Sequence, residues 1–222
     1  MAATGAPPSE RVLRDGSVIS LREVRPSDKA AIAGTFEGLG PESRYRRFFT
    51  PMSRLSEADL KYLTVVDHSD HEAVLAFDAE GRPVGVARYV RIDNPAHAEV
   101  AVAVVDDWQG RGAGTALLER LVERAAEHGI EYFIASVLQE NPEAIELFRS
   151  ISLTDPSPRR AAPGQLELVI ELPRDGVQGT LLGRALRSAA SGAVEIHPWR
   201  LIKERLGSIG SARTDRESRP NR

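Results

Sequence analysis

Residues 98–128, AEVAVAVVDDWQGRGAGTALLERLVERAAEH, leave few ways for this chain to fold. Residues 98–105 are almost continuously apolar, the pattern of a strand buried on both faces, and Glu99 is the one charge among them. Further on, Ala116, Leu117, Leu118, Leu121, Val122, Ala125 and Ala126 recur at helical spacing, with Glu119, Arg120, Glu123, Arg124 and Glu127 between them. The connection is Gln109-Gly110-Arg111-Gly112-Ala113-Gly114-Thr115, which places three glycines where the helix begins.

A helix start leaves amide N–H groups without internal partners, and they carry partial positive charge. Glycines remove the Cβ atoms that would keep a bulky ligand away. Such a turn can wrap a phosphate or pyrophosphate, and Arg111 adds a full charge. The alternative is a tight turn without a ligand, which needs only one glycine. A Walker loop requires Gly-Lys-Ser/Thr, yet Gly114 is followed directly by Thr115. A dinucleotide loop spaced G-x-G-x-x-G requires glycine where Thr115 stands.

Q-G-R-G-A-G-T after a strand resembles the acyl-CoA pyrophosphate loop of the GNAT N-acetyltransferases, and the resemblance extends over about residues 17–172. It implies an α+β fold. The expected form is a central mixed, mostly antiparallel sheet with a splayed strand pair and flanking helices. It also implies acetyl-CoA as cosubstrate. Pantetheine contacts then fall on Val102, Ala103 and Val104, and pyrophosphate contacts on Gln109, Gly110, Arg111, Gly112, Ala113, Gly114 and Thr115. The segment around Ser43-Arg44-Tyr45-Arg46-Arg47-Phe48 is similar to the S-R-Y-x-R-F region of the bacterial protein-lysine acetyltransferase branch, which makes Tyr45 and Phe48 candidate acceptor-groove residues. Read without the family, the same segment is a helix with Tyr45, Phe48 and Phe49 inward and its arginines outward.

The net charge of −3 gives no broad electrostatic case for nucleic acid, and the short basic-aromatic cluster alone is a weak footprint. With no cysteine, disulfides, thiolate metal sites and a Cys nucleophile are excluded. No apolar run approaches the ~20 residues that cross a bilayer. The first ten residues lack the basic and apolar regions of a signal peptide, so a cytoplasmic protein is the expectation. Residues 67–72, DHSDHE, carry metal-ligand types. Neighbours in one turn rarely converge on an ion, however, and a polar turn is expected instead.

The expected organisation is a disordered stretch over 1–10, an acetyltransferase domain over 11–173, a helical extension over 174–206 and a disordered basic tail over 207–222. Residues 17–24 read as the first strand, and Pro26-Ser27-Asp28 opens a helix to about Leu39. Pro51 divides the next helical region, 41–63, and Ser56-Glu57-Ala58-Asp59 matches a capping sequence. Residues 72–77, 84–92, 131–137 and 165–172 read as strands, with 154–163 a polar loop. Asn141 before Pro142 reads as a helix N-cap, and in the family this asparagine also contacts the CoA arm. Phe148 stands where many members carry the tyrosine that protonates the leaving thiolate, and a phenyl ring has no proton to give. The apolar stripe over 177–206 can pack on the core, pair two copies or dock another protein.

Transfer of an acetyl group to an amine needs a base and a donor to the carbonyl oxygen. Glu99, in an apolar strand, is the candidate general base; the alternative is a solvated charge at a strand start. The backbone N–H of Val104 is the candidate oxyanion donor. The expected acceptor is a protein lysine, with a small-molecule amine as the alternative enzyme reading. An acyl-CoA-binding regulatory module is the alternative outside catalysis. No metal, nucleic acid or membrane partner is expected.

Overall fold

The computed structural model describes residues 8–156 and 158–173. Among these residues, eight strands form one sheet in the order β1-β2-β3-β4-β5-β6-β8-β7. In chain order they are β1 (Ser9–Val12), β2 (Val18–Glu23), β3 (His71–Phe77), β4 (Pro83–Arg91), β5 (His97–Val104), β6 (Tyr132–Leu138), β7 (Pro158–Ala162) and β8 (Gln165–Glu171). The helices are α1 (Lys29–Glu37), α2 (Pro41–Phe48), α3 (Glu57–Thr64), α4 (Ala113–Glu127) and α5 (Pro142–Ile151). Every pairing is antiparallel except β5 with β6. The expected mixed, mostly antiparallel sheet with flanking helices is therefore present.

Two strands correct the sequence reading. Ser9 and Glu10 belong to β1, not to a disordered stretch, and residues 158–162 of the expected loop form β7. Both are short edge strands with polar or exposed side chains, held by backbone pairing to β2 and β8. They carry no apolar periodicity for a sequence to display. The extension expected over 174–206 and the tail over 207–222 lie outside the described residues.

The sheet divides the molecule. Ala98, Val100, Val102 and Val104 of β5 join Tyr89, Phe133, Ala135 and Leu168 in a core completed by α4 and α5. Leu117, Leu118, Leu121 and Val122 of α4 are fully buried there, each stabilising the fold by about 1.5–3 kcal/mol. The opposite face carries α1 and α3, with Ile32 and Leu63 packed on Ala73 and Leu75. Phe36 of α1 meets Phe48 of α2 at 5.6 Å between ring centres. α3 begins with the expected capping box between Ser56 and Asp59.

Asn141 caps α5 as its sequence position implies. Its side chain accepts from the Ala144 N–H at 3.1 Å, and the residue is buried. Asn141→Ala is expected to lower unfolding free energy by about 1–2 kcal/mol in a denaturant titration, because the buried N–H loses its acceptor.

Candidate active site

β5 and β6 pair only through His97–Tyr132, Ala98–Phe133 and Glu99–Ile134. Beyond Glu99, β5 continues along β4 and β6 continues along β8, so the two strands part. Among the described residues, 100–104 then present a backbone edge without a strand partner on the β6 side. The Val105 N–H donates to Val84 O on β4 at 2.9 Å. By alternation, the N–H and C=O of Val104 face the opposite way, into the gap. Gln109 Nε2 donates to Val104 O at 3.1 Å, at the head of this gap.

The turn after β5 begins with a 3₁₀ turn over Asp106–Trp108. Gly110 and Gly112 follow with φ of 73° and 100°, and Gly112 occupies the N-cap position of α4 without a side-chain cap. A Cβ at Gly110 would meet nothing within 4 Å, and one at Gly112 would meet only Arg14 atoms, the nearest at 3.7 Å. Neither glycine is crowded by described residues, and no side chain caps the start of α4, an arrangement that suits a phosphate. Gly114 differs. A Cβ there would lie 3.3 Å from Leu147 and 3.6 Å from Val104, so this glycine lets α4 approach α5 and β5. The three glycines thus sit in two kinds of surroundings, which their spacing did not separate.

The side chains of the turn are largely committed to the protein. Gln109 bridges Val104 O and Asp106, with Ser43 of α2 at 3.4 Å. Arg111 lies over the Trp108 ring, 3.9 Å from its centre, and pairs with Asp15 in the β1–β2 turn. Hydrogen bonds from Ser17, then Arg111, hold the Asp15 carboxyl at about 2. Arg14 N donates to Arg111 O at 3.3 Å. This N-terminal hairpin therefore flanks the glycine turn, a placement that sequence reading missed, because residues 14–15 carry no motif.

Glu99 faces away from the core, toward the side of the sheet that carries α2. Burial pushes its carboxyl up to about 7; Arg47 of α2 opposes this and Glu167 of β8 adds to it. Arg47 is itself buried, whereas Tyr45 is 46% exposed. This corrects the expected orientation of α2, in which Tyr45 pointed inward and the arginines outward. Phe48 is inward as expected, and Arg44 lies over the Phe36 ring at 4.5 Å. Tyr45 stands on the outer rim, and Phe48 belongs to the α1–α2 contact. Phe148 is fully buried in the core shared by β5, α4 and α5.

The DHSDHE turn is a polar turn. Asp67 Oδ1 accepts from the N–H groups of Ser69, Asp70 and His71, while Glu72 takes His68 Nδ1 at 2.8 Å and Arg124 Nε at 3.0 Å. Among the described residues, no cluster of three or more His, Asp or Glu side chains could hold a metal ion. No described helix is long and apolar enough to cross a membrane.

Comparison with known proteins agrees with this architecture. The chain is 39% identical over 132 residues to Acetyltransferase Pat of Mycolicibacterium smegmatis, a match spanning 58% of this chain and 39% of that protein. It is thus similar to well under half the length of that relative. The crystal structure of the GNAT domain of S. lividans PAT superposes with a TM-score of 0.68 at 33% identity, covering 74% of this chain and 97% of that one. A cAMP-binding acyltransferase from Mycobacterium smegmatis superposes with a TM-score of 0.55 at 29% identity, covering 82% and 52% of the two chains. The sequence profile of the acetyltransferase (GNAT) family matches residues 40–151, half of the chain, and with the parted β5–β6 pair and the glycine turn this establishes that the chain belongs to that family.

Proposed function

We propose that the protein transfers an acetyl group from acetyl-CoA to an amine, with a protein lysine as the first acceptor to test. One observation carries the reading. The free edge over 100–104 runs directly into a helix start opened by Gly110 and Gly112. That combination fits a long thioester whose amide arm pairs with a strand and whose diphosphate needs N–H donors. The cosubstrate, when bound, supplies the acetyl thioester.

The chain's own groups divide the remaining work. Residues 102–104 offer the backbone edge for the arm, and the N–H groups at the start of α4 receive the diphosphate. Glu99 takes a proton from the incoming ammonium, which frees the nitrogen lone pair for attack. The Val104 N–H, directed into the gap, donates to the carbonyl oxygen as negative charge develops there. With Phe148 buried in the core, the leaving thiolate has no phenol at that position and takes its proton from solvent. The lysine acceptor is supported by the similarity to Acetyltransferase Pat and to the GNAT domain of S. lividans PAT.

The test is thermal unfolding with and without acetyl-CoA, followed by thiol release across pH with a lysine-bearing protein mixture. Acetyl-CoA is expected to raise the unfolding midpoint. Because the base must be ionised in the free enzyme, kcat/KM should rise with pH and level off above about 7, where the Glu99 carboxyl titrates. An unchanged midpoint at saturating acetyl-CoA would overturn the reading. A raised midpoint without acceptor-dependent release would favour a regulatory acyl-CoA-binding module.

A further inference from the structure

The face of the sheet that carries Glu99 holds two further carboxylates on β8: Glu171, which accepts from Thr154 Oγ1 at 3.2 Å, and Glu167, which lies toward the opening between β5 and β6. β6 is in register with β5 at Glu99–Ile134 and with β8 at Ser136–Glu167. Side chains alternate along each strand, so Glu99, Ile134, Ser136 and Glu167 share a face. Burial follows the same alternation: Phe133, Ala135 and Leu168 are fully buried on the core side, while Ile134, Ser136 and Glu167 are half-buried. Glu99 on β5 and Glu167 on β8 therefore stand on either side of β6 at the opening between β5 and β6, with Ile134 and Ser136 of β6 between them.

Neither carboxylate is spent on a hydrogen bond or ion pair with another described residue. Arg159, the register partner of Glu167 on β7, is exposed and forms no ion pair with it among the described residues. Around Glu99, Arg47 faces it from α2, Glu171 stands opposite Tyr132 on β8, and the His97 ring on its own strand meets the Tyr132 ring at 4.9 Å between centres and 54°. Arg88 of β4 and His71 of β3 share the face but contact each other beneath Tyr62. Arg47 offsets the repulsion at Glu99 from its α2 side, and a further cation entering the opening would interact favourably with both carboxylates. The acceptor is such a cation, since an alkylamine arrives as an ammonium ion at neutral pH.

We propose that Glu167 is a substrate-positioning residue that holds the acceptor ammonium opposite Glu99, across the opening between β5 and β6, before the proton passes to Glu99. This rests on the acyl-transfer reading above. The division of labour is chemical. A base that titrates near neutrality spends part of its time protonated and attracts cations weakly in that state. A second carboxylate on the far side of the opening adds a separate point of attraction. The pair also selects among amines. An ammonium at the end of an unbranched stem, as in a lysine side chain, gains from both carboxylates. The α-amino group of a free amino acid brings its own carboxylate into the same negative site and is disfavoured.

The experiment uses the full chain with glutamate carboxyls labelled with ¹³C, titrated by NMR without CoA. The acceptor probe is Nα-acetyl-L-lysine amide. In the wild-type protein the probe is expected to move the Glu99 and Glu167 resonances together. Glu167→Gln is expected to weaken probe binding, read at Glu99, by about tenfold or more. It should also lower the Glu99 titration midpoint, because a neighbouring negative charge has gone. Glu167→Asp should fall between the two. A purely structural role for Glu167 would move neither binding nor midpoint. Unchanged probe binding in Glu167→Gln, or a probe that moves neither resonance in the wild type, would overturn the proposal. The assignment of Glu99 as base is tested separately by turnover of Glu99→Gln, so failure of that assignment and failure of this one are distinguishable.

Discussion

Glu99→Gln is expected to lower turnover by at least about 10²-fold while leaving acetyl-CoA binding intact. The amide preserves the shape of the side chain but cannot accept the ammonium proton. The open edge over 100–104 and the start of α4 do not depend on its charge. A second signature accompanies the loss. Burial raises the Glu99 carboxyl to about 7 in the folded protein, from an ordinary value of 4.5. Ionisation therefore destabilises the fold progressively as pH rises from about 4.5 to 7, and the destabilisation is complete above that window. Glutamine cannot ionise, so the variant should unfold at a higher temperature than the wild type at pH 8 and show no such advantage at pH 4. Full turnover in Glu99→Gln would remove Glu99 from the chemistry. Lost turnover without the pH-dependent gain in stability would show that the carboxyl is not buried as the structure has it.

Gly112→Asp is expected to abolish the acetyl-CoA-induced rise in unfolding temperature, with binding weakened by at least about 10²-fold, or ~2.7 kcal/mol. Two effects act in the same direction. The backbone at this position has φ of 100°, which favours glycine. The new carboxylate also stands at the N-cap of α4, where it can accept from the same N–H groups offered to the diphosphate, and it adds like charge beside that anion. The fold should survive, since the nearest heavy atom to a Cβ at this position is 3.7 Å away on the flexible Arg14 side chain. Backbone strain alone costs about 1–2 kcal/mol. Gly112→Ala, which carries strain without charge, should therefore bind better than Gly112→Asp. Equal losses in the two variants would mean that space, not charge, governs the cradle.

Much of this protein is legible along the chain. β5, the glycine turn and α4 are local features, with an apolar run, a turn rich in glycine and an amphipathic repeat following one another. The caps at Ser56 and Asn141 are equally local, since each depends on residues within three positions. The edge strands β1 and β7 were not legible, because pairing at a sheet edge is made by backbone groups that every residue possesses. The orientation of α2 was misread for a related reason. Residues 44–49 mix basic and aromatic types, and burying Arg47 while exposing Tyr45 is settled by what lies opposite, with Glu99 of β5 facing Arg47 on the same side of the sheet.

The sequence by itself determined the family-like turn, the helix that carries it and the strand whose one charge is Glu99, because each is written in residues adjacent in the chain. Only the tertiary structure decided which distant groups meet there. The Asp15–Arg111 pair beside the glycine turn joins residues from the first hairpin and the middle of the chain. The facing of Glu99 and Glu167 depends on strand order and on the register of two separate strand pairs. A one-residue slip in either register would send one carboxylate to the opposite face, and a single sequence carries no direct measure of register between strands so far apart.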